Sequence, residues 1–181
     1  GTCVACPLLS GTGDEGGNDI TSCRSLPGAE GPDGGPFESC PASTYSNEMG
    51  VLHCTACPEG GSTRGERGSR FGTNCVALPG YTNEKNWDEG PFVKCRSGLY
   101  KAEFGPHQCK KCPFCSTTEQ EASTSMLQCV ADIGCEGKGF GWGLGFTKCK
   151  FGTFKPSVGN GACPPCDGSS DVLNCGGRVE S

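Results

Sequence analysis

The sequence predicts a small disulfide-rich fold: an elongated tandem array of short β-hairpin modules with little helix and a minimal hydrophobic core. Three observations support this prediction. The 181-residue chain has 17 cysteines, a density typical of disulfide scaffolds in oxidising compartments. Glycine and proline number 31 and 13, so turns should dominate the backbone. One motif with fixed internal gaps occurs three times, which identifies a repeat array whose modules contact mainly their neighbours.

The repeated motif is Phe-x2-Cys-x4-[Tyr/Phe]-x4-Gly-x3-Cys-x2-Cys. Its copies begin at Phe37, Phe92 and Phe146. We name its three cysteines a, b and c, and a later cysteine of each module d; a+5 is the residue five after cysteine a. The complete modules carry Cys40, Cys54, Cys57 and Cys75; Cys95, Cys109, Cys112 and Cys129; and Cys149, Cys163, Cys166 and Cys175, whereas the first module carries only Cys3, Cys6 and Cys23.

These positions divide the chain into four predicted modules. They are residues 1–36, a truncated first module with its linker; 37–91, the second; 92–145, the third, with two extra cysteines; and 146–181, a shortened fourth. The linkers after cysteine d echo one another, because Leu-Pro-Gly occurs at both 26–28 and 78–80.

Spacing alone does not determine disulfide connectivity. Repeated modules should nevertheless pair alike, and neighbouring b and c are poor partners because a two-residue loop is strained. We therefore predict a–b and c–d disulfides in each module, and a bond between the two extra cysteines. The predicted pairs are Cys6–Cys23, Cys40–Cys54, Cys57–Cys75, Cys95–Cys109, Cys112–Cys129, Cys115–Cys135, Cys149–Cys163 and Cys166–Cys175.

Cys3 is the remaining cysteine, a b-type residue whose a-type partner is expected before residue 1. Three states are open to it: a disulfide with another chain, a disulfide with an upstream segment, or a free thiol. The chain opens with Gly-Thr-Cys, so we expect a processed form or part of a longer precursor.

Three non-cysteine positions of the motif have structural interpretations. We expect the aromatic residues at a−3 and a+5 to pack on the disulfides as a miniature core: Phe37, Tyr45, Phe92, Tyr100, Phe146 and Phe154. The glycine at a+10 (Gly50, Gly105, Gly159) should adopt positive φ in a hairpin turn. Only residues 119–128 suggest a helix, of one or two turns.

Composition excludes several classes of function. The net charge is −5 and the basic residues are scattered, so we expect no nucleic-acid partner. No apolar run approaches the ~20 residues of a membrane span, and the cysteine content predicts an extracellular location, secreted or at the cell surface.

The motif resembles a known family. Segment 149–166 reads Cys-x2-Gly-Thr-Phe-x4-Gly-x3-Cys-x2-Cys and segment 95–100 begins Cys-x2-Gly-Leu-Tyr, both similar to the cysteine-rich repeat of ephrin-receptor-like modules. The second module has Ser43 where that glycine belongs. Such modules are grouped with tumour-necrosis-factor-receptor-like domains and occur in protist surface proteins such as the immobilisation antigens of ciliates. The resemblance implies a–b pairing and no catalytic residue.

The leading functional hypothesis is a non-catalytic extracellular structural protein: a cell-surface coat, adhesive or filament subunit built as a disulfide-stapled rod. Because the array begins within a module, we expect head-to-tail self-association. The expected partners are further copies of the chain, or other extracellular proteins or glycans; no cofactor is expected.

Two other functions remain open. A ligand-binding receptor ectodomain would use Trp87 and Trp142 as anchors, the latter in the glycine-rich loop 137–145. A zinc-thiolate protein would use the Cys-x2-Cys pairs, for instance in a mixed site of Cys54, Cys57, Cys75 and Cys95.

An enzyme is not expected. The chain has two histidines, His53 and His107, and a cysteine nucleophile needs a free thiol. The acidic stretch 14–19 lacks the ligand spacing of a calcium loop, so we interpret it as a solvated turn.

Overall fold

The structure, a computed structural model, describes residues 2–83, 90–137 and 145–166. The chain divides into two compact units: Gly1–Val93 with Phe104–His107, and Lys94–Glu103 with Gln108–Ser181. We call these the N-terminal unit and the C-terminal unit. The tip of the third module's a–b loop, Phe104–His107, thus belongs to the N-terminal unit. The finer division into four modules stays a prediction.

Sixteen short strands occur in the described residues. They form eight two-stranded sheets, in which the first strand pairs with the second, the third with the fourth, and so on along the chain. Their bounds are β1 Ser10–Thr12, β2 Cys23–Ser25, β3 Ala29–Glu30, β4 Glu38–Ser39, β5 Thr44–Tyr45, β6 Thr55–Ala56, β7 Gly61–Ser62, β8 Val76–Ala77, β9 Tyr81–Asn83, β10 Phe92–Lys94, β11 Leu99–Tyr100, β12 Lys110–Lys111, β13 Ser116–Thr118, β14 Cys129–Ala131, β15 Cys135–Glu136 and β16 Thr147–Lys148.

Three kinds of hairpin alternate along the chain. The predicted a–b hairpins are confirmed in modules two and three, where β5 pairs with β6 and β11 with β12, both antiparallel. Module four has a single antiparallel bridge between Thr153 and Pro165 at the corresponding place. The c–d segments (β1–β2, β7–β8, β13–β14) and the linkers (β3–β4, β9–β10, β15–β16) also form strand pairs, which the sequence analysis did not predict.

Within residues 2–83, 90–137 and 145–166, helix is limited to single 3-10 turns that end at cysteine d. The helical candidate 119–128 contains one such turn, Met126–Gln128, which begins where the Ser125 hydroxyl accepts a hydrogen bond from the Leu127 N–H at 3.1 Å. Ile20–Ser22 and Gly72–Asn74 form equivalent turns. In all three, cysteine d closes the turn by donating its N–H to the first residue.

The buried interior consists mainly of half-cystines and small residues, as expected for a minimal core. Phe92 and Phe146 are buried, at 8% and 6% exposure. The other predicted core rings, Phe37, Tyr45, Tyr100 and Phe154, are only half-buried. Because the disulfides and alanines occupy the interior, most of the rings flank the core. The buried hydrophobic residues are Cys23, Ala29, Cys40, Cys75, Ala77, Phe92, Cys95, Cys129, Ala131, Cys135, Phe146 and Cys163.

None of the helices in the described parts of the chain is long and apolar enough to cross a membrane.

Candidate functional site: an interlocked disulfide frame

Seven disulfides join cysteines of the described residues, and all follow the a–b and c–d scheme or join the two extra cysteines. Their Cα–Cα distances of 5.6 to 5.9 Å are ordinary for disulfides. Cys166 is also disulfide-bonded, but its predicted partner Cys175 lies outside the described residues. The seven pairs are Cys6–Cys23, Cys40–Cys54, Cys57–Cys75, Cys95–Cys109, Cys112–Cys129, Cys115–Cys135 and Cys149–Cys163.

In the second and third modules, the two sulfurs of the Cys-x2-Cys pair bond to different partners. Cys54 bonds to Cys40 and Cys57 to Cys75, so these sulfurs are not thiolates and cannot ligate zinc as the zinc hypothesis requires. The described residues also contain no cluster of three or more His, Cys, Asp or Glu side chains that would hold a metal ion. Cys3 is the free cysteine of the described residues and is exposed.

The Cys115–Cys135 disulfide stands at two positions that are in contact without a disulfide in module two. Cys115 and Cys135 stand at c+3 and d+6, where module two has Gly60 and Tyr81. The Tyr81 ring lies so close to Gly60 that a side chain there would collide with it. Position c+3 is left-handed in both modules, with φ of 76° at Gly60 and 65° at Cys115. The disulfide therefore replaces a glycine–tyrosine packing contact.

A backbone hydrogen bond recurs between each motif glycine and the c–d hairpin that precedes it. The N–H groups of Gly50, Gly105 and Gly159 donate to the carbonyl oxygens at d+2, each at 2.9 Å. The acceptors are Ser25, Ala77 and Ala131, all at most 1% exposed. All three glycines have the expected positive φ, at 72°, 106° and 131°. Each a–b loop is thus anchored to the hairpin of the preceding module.

A second recurring contact uses the glycine at d+5. Gly28 donates its N–H to Ser46 at 2.8 Å and accepts from the Cys40 N–H at 2.9 Å. Its φ is 87°, and a Cβ atom there would lie 2.5 Å from the Gly68 carbonyl oxygen. In the C-terminal unit the equivalent Gly134 donates to Lys155 and accepts from Cys149, both at 2.9 Å.

Glutamates at d+7 complete the frame. The Glu30 carboxylate accepts the Cys54 N–H at 2.6 Å, and the Glu136 carboxylate accepts the Cys163 N–H at 3.3 Å. A charged acceptor strengthens such bonds. In each case the carboxylate reaches cysteine b of the following module, so these side chains have a structural partner. These two glutamates were not predicted from the sequence, although their shared d+7 position was a visible signal.

Buried threonines hold the turn after cysteine a. The Thr63 hydroxyl accepts the Ser43 N–H at 2.9 Å, and the Thr118 hydroxyl accepts the Gly98 N–H at 3.0 Å. Both threonines are 2% exposed. Ser43, which replaces the glycine of the resemblance, still adopts the left-handed conformation, with φ of 64°.

The remaining candidate residues do not converge on a site. His53 and His107 are exposed. Asp19 in the acidic stretch is a helix cap: hydrogen bonds from the Thr21 hydroxyl and then the Thr21 N–H hold the pKa of its carboxyl below the ordinary value. Trp87, Trp142 and most of the glycine-rich loop lie outside the described residues.

Comparison with known proteins agrees with this frame. Residues 35–75 and 89–129 match the family described as tyrosine-protein kinase ephrin type A/B receptor-like. The two matched segments begin just before the motif and end at cysteine d, so each covers one a–b–c–d set.

The chain is also similar in sequence to segments of larger multidomain proteins. Signal peptide, CUB and EGF-like domain-containing protein 3 of Homo sapiens is 31% identical over 134 residues, which cover 71% of this chain and 13% of that protein. Protein 2 of the same name from Danio rerio is 34% identical over 139 residues, with the same coverage.

A third relative is the sushi, von Willebrand factor type A, EGF and pentraxin domain-containing protein 1 of Rattus norvegicus, 31% identical over 129 residues, which cover 66% of this chain and 3% of that protein. The chain thus spans a small fraction of the length of these relatives. Together with the disulfide frame, they show an extracellular protein. Residues 35–75 and 89–129 of this extracellular chain are thus similar to the ephrin-receptor-like cysteine-rich family.

Proposed function

We propose that the chain is a non-catalytic structural segment of an extracellular protein, a coat, adhesive or filament subunit that associates with further copies of itself. The observation that supports the proposal is the recurring interlock between neighbouring modules. Glycine N–H groups, buried carbonyls and the d+7 glutamates are all engaged in joining one module to the next.

A structural role also accounts for the state of the cysteines and the positions of the histidines. Fifteen of the 16 cysteines in the described residues are disulfide-bonded, and the two histidines lie apart on exposed loops. Cross-links of this kind stabilise modules too small for an adequate hydrophobic core. In such a role, function depends on how long the chain stays folded outside the cell.

The proposal is tested by assembly and by resistance to proteolysis. The purified full chain should resist trypsin under non-reducing conditions and become sensitive once the disulfides are reduced. Sedimentation velocity and negative-stain images should show oligomers that grow with protein concentration. Dispersed single particles at every concentration would remove self-association, and rapid digestion of the oxidised protein would remove the structural role.

A further inference from the structure

Three large apolar side chains are exposed in the segments that flank the Cys115–Cys135 disulfide and cysteine a of module four. Phe114, Ile133 and Phe151 are 73%, 61% and 100% exposed. Lys148 and Lys150, both exposed, flank cysteine a of module four. We call these five residues the Phe151 surface. Exposed apolar side chains close to lysines are candidates for a protein interaction site.

One contact within the C-terminal unit joins two members of this surface, and the other members lie on turns beside it. The Lys148 ammonium lies 6.0 Å from the centre of the Phe114 ring, and Lys148 is opposite Cys135 in the β15–β16 pair. Ile133 lines a cavity of about 300 Å³ with Thr153 and Phe154. Phe151 lies in the turn that the Thr153 N–H closes on the Lys150 carbonyl at 3.0 Å.

The fold itself does not require these apolar residues. Positions c+2, d+4 and a+2 at the preceding junction carry Glu59, Pro79 and Ser97 in place of Phe114, Ile133 and Phe151. The same motif therefore accommodates small or polar residues at the equivalent positions. Packing does not account for the apolar residues of the Phe151 surface, which suits a role in binding.

The C-terminal part of the chain carries more basic than acidic residues, although Asp132 and Glu136 lie beside Ile133 and Cys135, whereas the N-terminal part is acidic. Residues 137–166 contain four lysines and no Asp or Glu. Residues 1–93 have 12 Asp or Glu against 5 Lys or Arg, and residues 94–166 have 5 against 9. Among the described residues, the exposed carboxylates of the N-terminal unit are those of Asp14, Glu15, Asp19, Asp33, Glu38, Glu48, Glu59 and Glu66.

We propose that the Phe151 surface docks on the acidic N-terminal unit of a second copy of this chain. The inference rests on the proposed structural role and names the surface through which copies meet. The lysines would steer the encounter with the carboxylates, and the apolar side chains would supply buried area. Because the two surfaces differ, the contact is head-to-tail and generates an open chain when its rotation does not close.

The test uses sedimentation velocity of the oxidised full chain at low and high salt. Two variants copy residues that the same motif already tolerates: Phe151→Ser and Phe114→Glu. A third, Lys148→Glu with Lys150→Glu, reverses the charge. Leu127→Ser is the matched control, because Leu127 is 70% exposed and lies outside the Phe151 surface.

The wild type and Leu127→Ser should show a sedimentation coefficient that rises with concentration and falls towards the monomer value at high salt, because salt screens exposed charges. The three surface variants should remain monomeric with an unchanged disulfide map. Association of the variants equal to that of the wild type would overturn the Phe151 surface and leave the proposed function standing. A wild type that stays monomeric would overturn self-association as a whole.

A zero-length carbodiimide cross-linker, which joins amines to carboxylates, tests the acceptor. In a mixture of isotope-labelled and unlabelled chains, mixed-isotope peptides should link Lys148 or Lys150 to carboxylates of the N-terminal unit. Mixed-isotope links confined to other residues would overturn the assignment. A sulfated glycan added to the wild type tests a different ligand. If the glycan disperses the oligomers and binds the wild type but not the Lys148→Glu, Lys150→Glu variant, the surface binds glycan and the proposed contact with a second copy is overturned.

Discussion

The N–H group of Gly50 donates to the carbonyl oxygen of Ser25 at 2.9 Å, which connects the a–b loop of one module to the buried strand of the module before it. Ser25 reinforces this contact, because its hydroxyl accepts the Val51 N–H at 3.0 Å and donates to the Val51 carbonyl at 3.2 Å. Ser25 is fully buried, so its carbonyl and hydroxyl groups depend on the interlock for their hydrogen bonds.

Gly50→Ala should destabilise the protein. The φ of Gly50 is 72°, and a left-handed conformation costs an L-residue roughly 1–2 kcal/mol. Chemical denaturation under non-reducing conditions should show that loss. Gly13→Ala is the control, since a Cβ atom there has no neighbour within 4 Å; an equal effect of both changes would show that the interlock glycine has no special role.

Ala122→Gly should stabilise the protein, whereas Gly68→Ala should destabilise it. The two residues occupy equivalent positions seven before cysteine d, with φ of 55° and 70°. Removing the left-handed strain of Ala122 gains roughly 1–2 kcal/mol, from which the added unfolded-state entropy of glycine removes about 0.5–1 kcal/mol. Thermal denaturation of both variants should shift in opposite directions; shifts of the same sign would contradict the equivalence.

Replacing the extra disulfide by the contact of module two should leave a folded protein. Cys115→Gly with Cys135→Tyr introduces the residues that stand at 60 and 81. Losing a cross-link over 20 residues should cost about 3 kcal/mol by the chain-entropy estimate, less whatever the glycine–tyrosine contact restores.

Cys115→Ala with Cys135→Ala is the comparison for this swap and should be the less stable of the two in a thermal melt. A swap variant that is no more stable than the double alanine variant would show that the two contacts are not interchangeable.

Glu30→Ala should lower the free energy of unfolding by about 1–3 kcal/mol, because it leaves the half-buried Cys54 N–H without its acceptor. Glu30→Gln keeps an acceptor and should lose less. Glu38 is exposed and lies opposite Glu30 in the β3–β4 pair, so Glu38→Ala is the control and should have little effect or stabilise by removing a like charge. Equal losses for Glu30→Ala and Glu38→Ala in urea denaturation would contradict the role of Glu30.

The repeat made part of this frame visible in the sequence. Identical gaps require identical pairing, which led to the a–b and c–d pairs that the structure contains, and the a+10 glycine indicated a positive φ. The interlock was not predicted because its donors and acceptors are mostly backbone groups. Its available signals were the small residue at d+2, the glycine at d+5 and the glutamate at d+7.

For the aromatic rings, the sequence predicted more burial than the structure has. Phe37 and Tyr45 have the periodic placement of core residues but are only half-buried, because half-cystines such as Cys40 occupy the interior. Sequence pattern does not reveal how much volume a disulfide takes from neighbouring rings. The β7–β8 strand pair was not predicted for a different reason. Each of its strands is two residues long, which is too short to show an alternating pattern in the sequence.

Tandem modules that are each closed by their own a–b and c–d disulfides are the basis of this structure. Alkylation of the oxidised protein, followed by mapping of its disulfide-linked peptides, tests this arrangement. We expect the seven pairs described above, a Cys166–Cys175 peptide, and alkylation at Cys3 alone. Peptides that link b to c or that join different modules would show that the modules are not closed in this way, as would several thiols that become reactive only after a chelator is added.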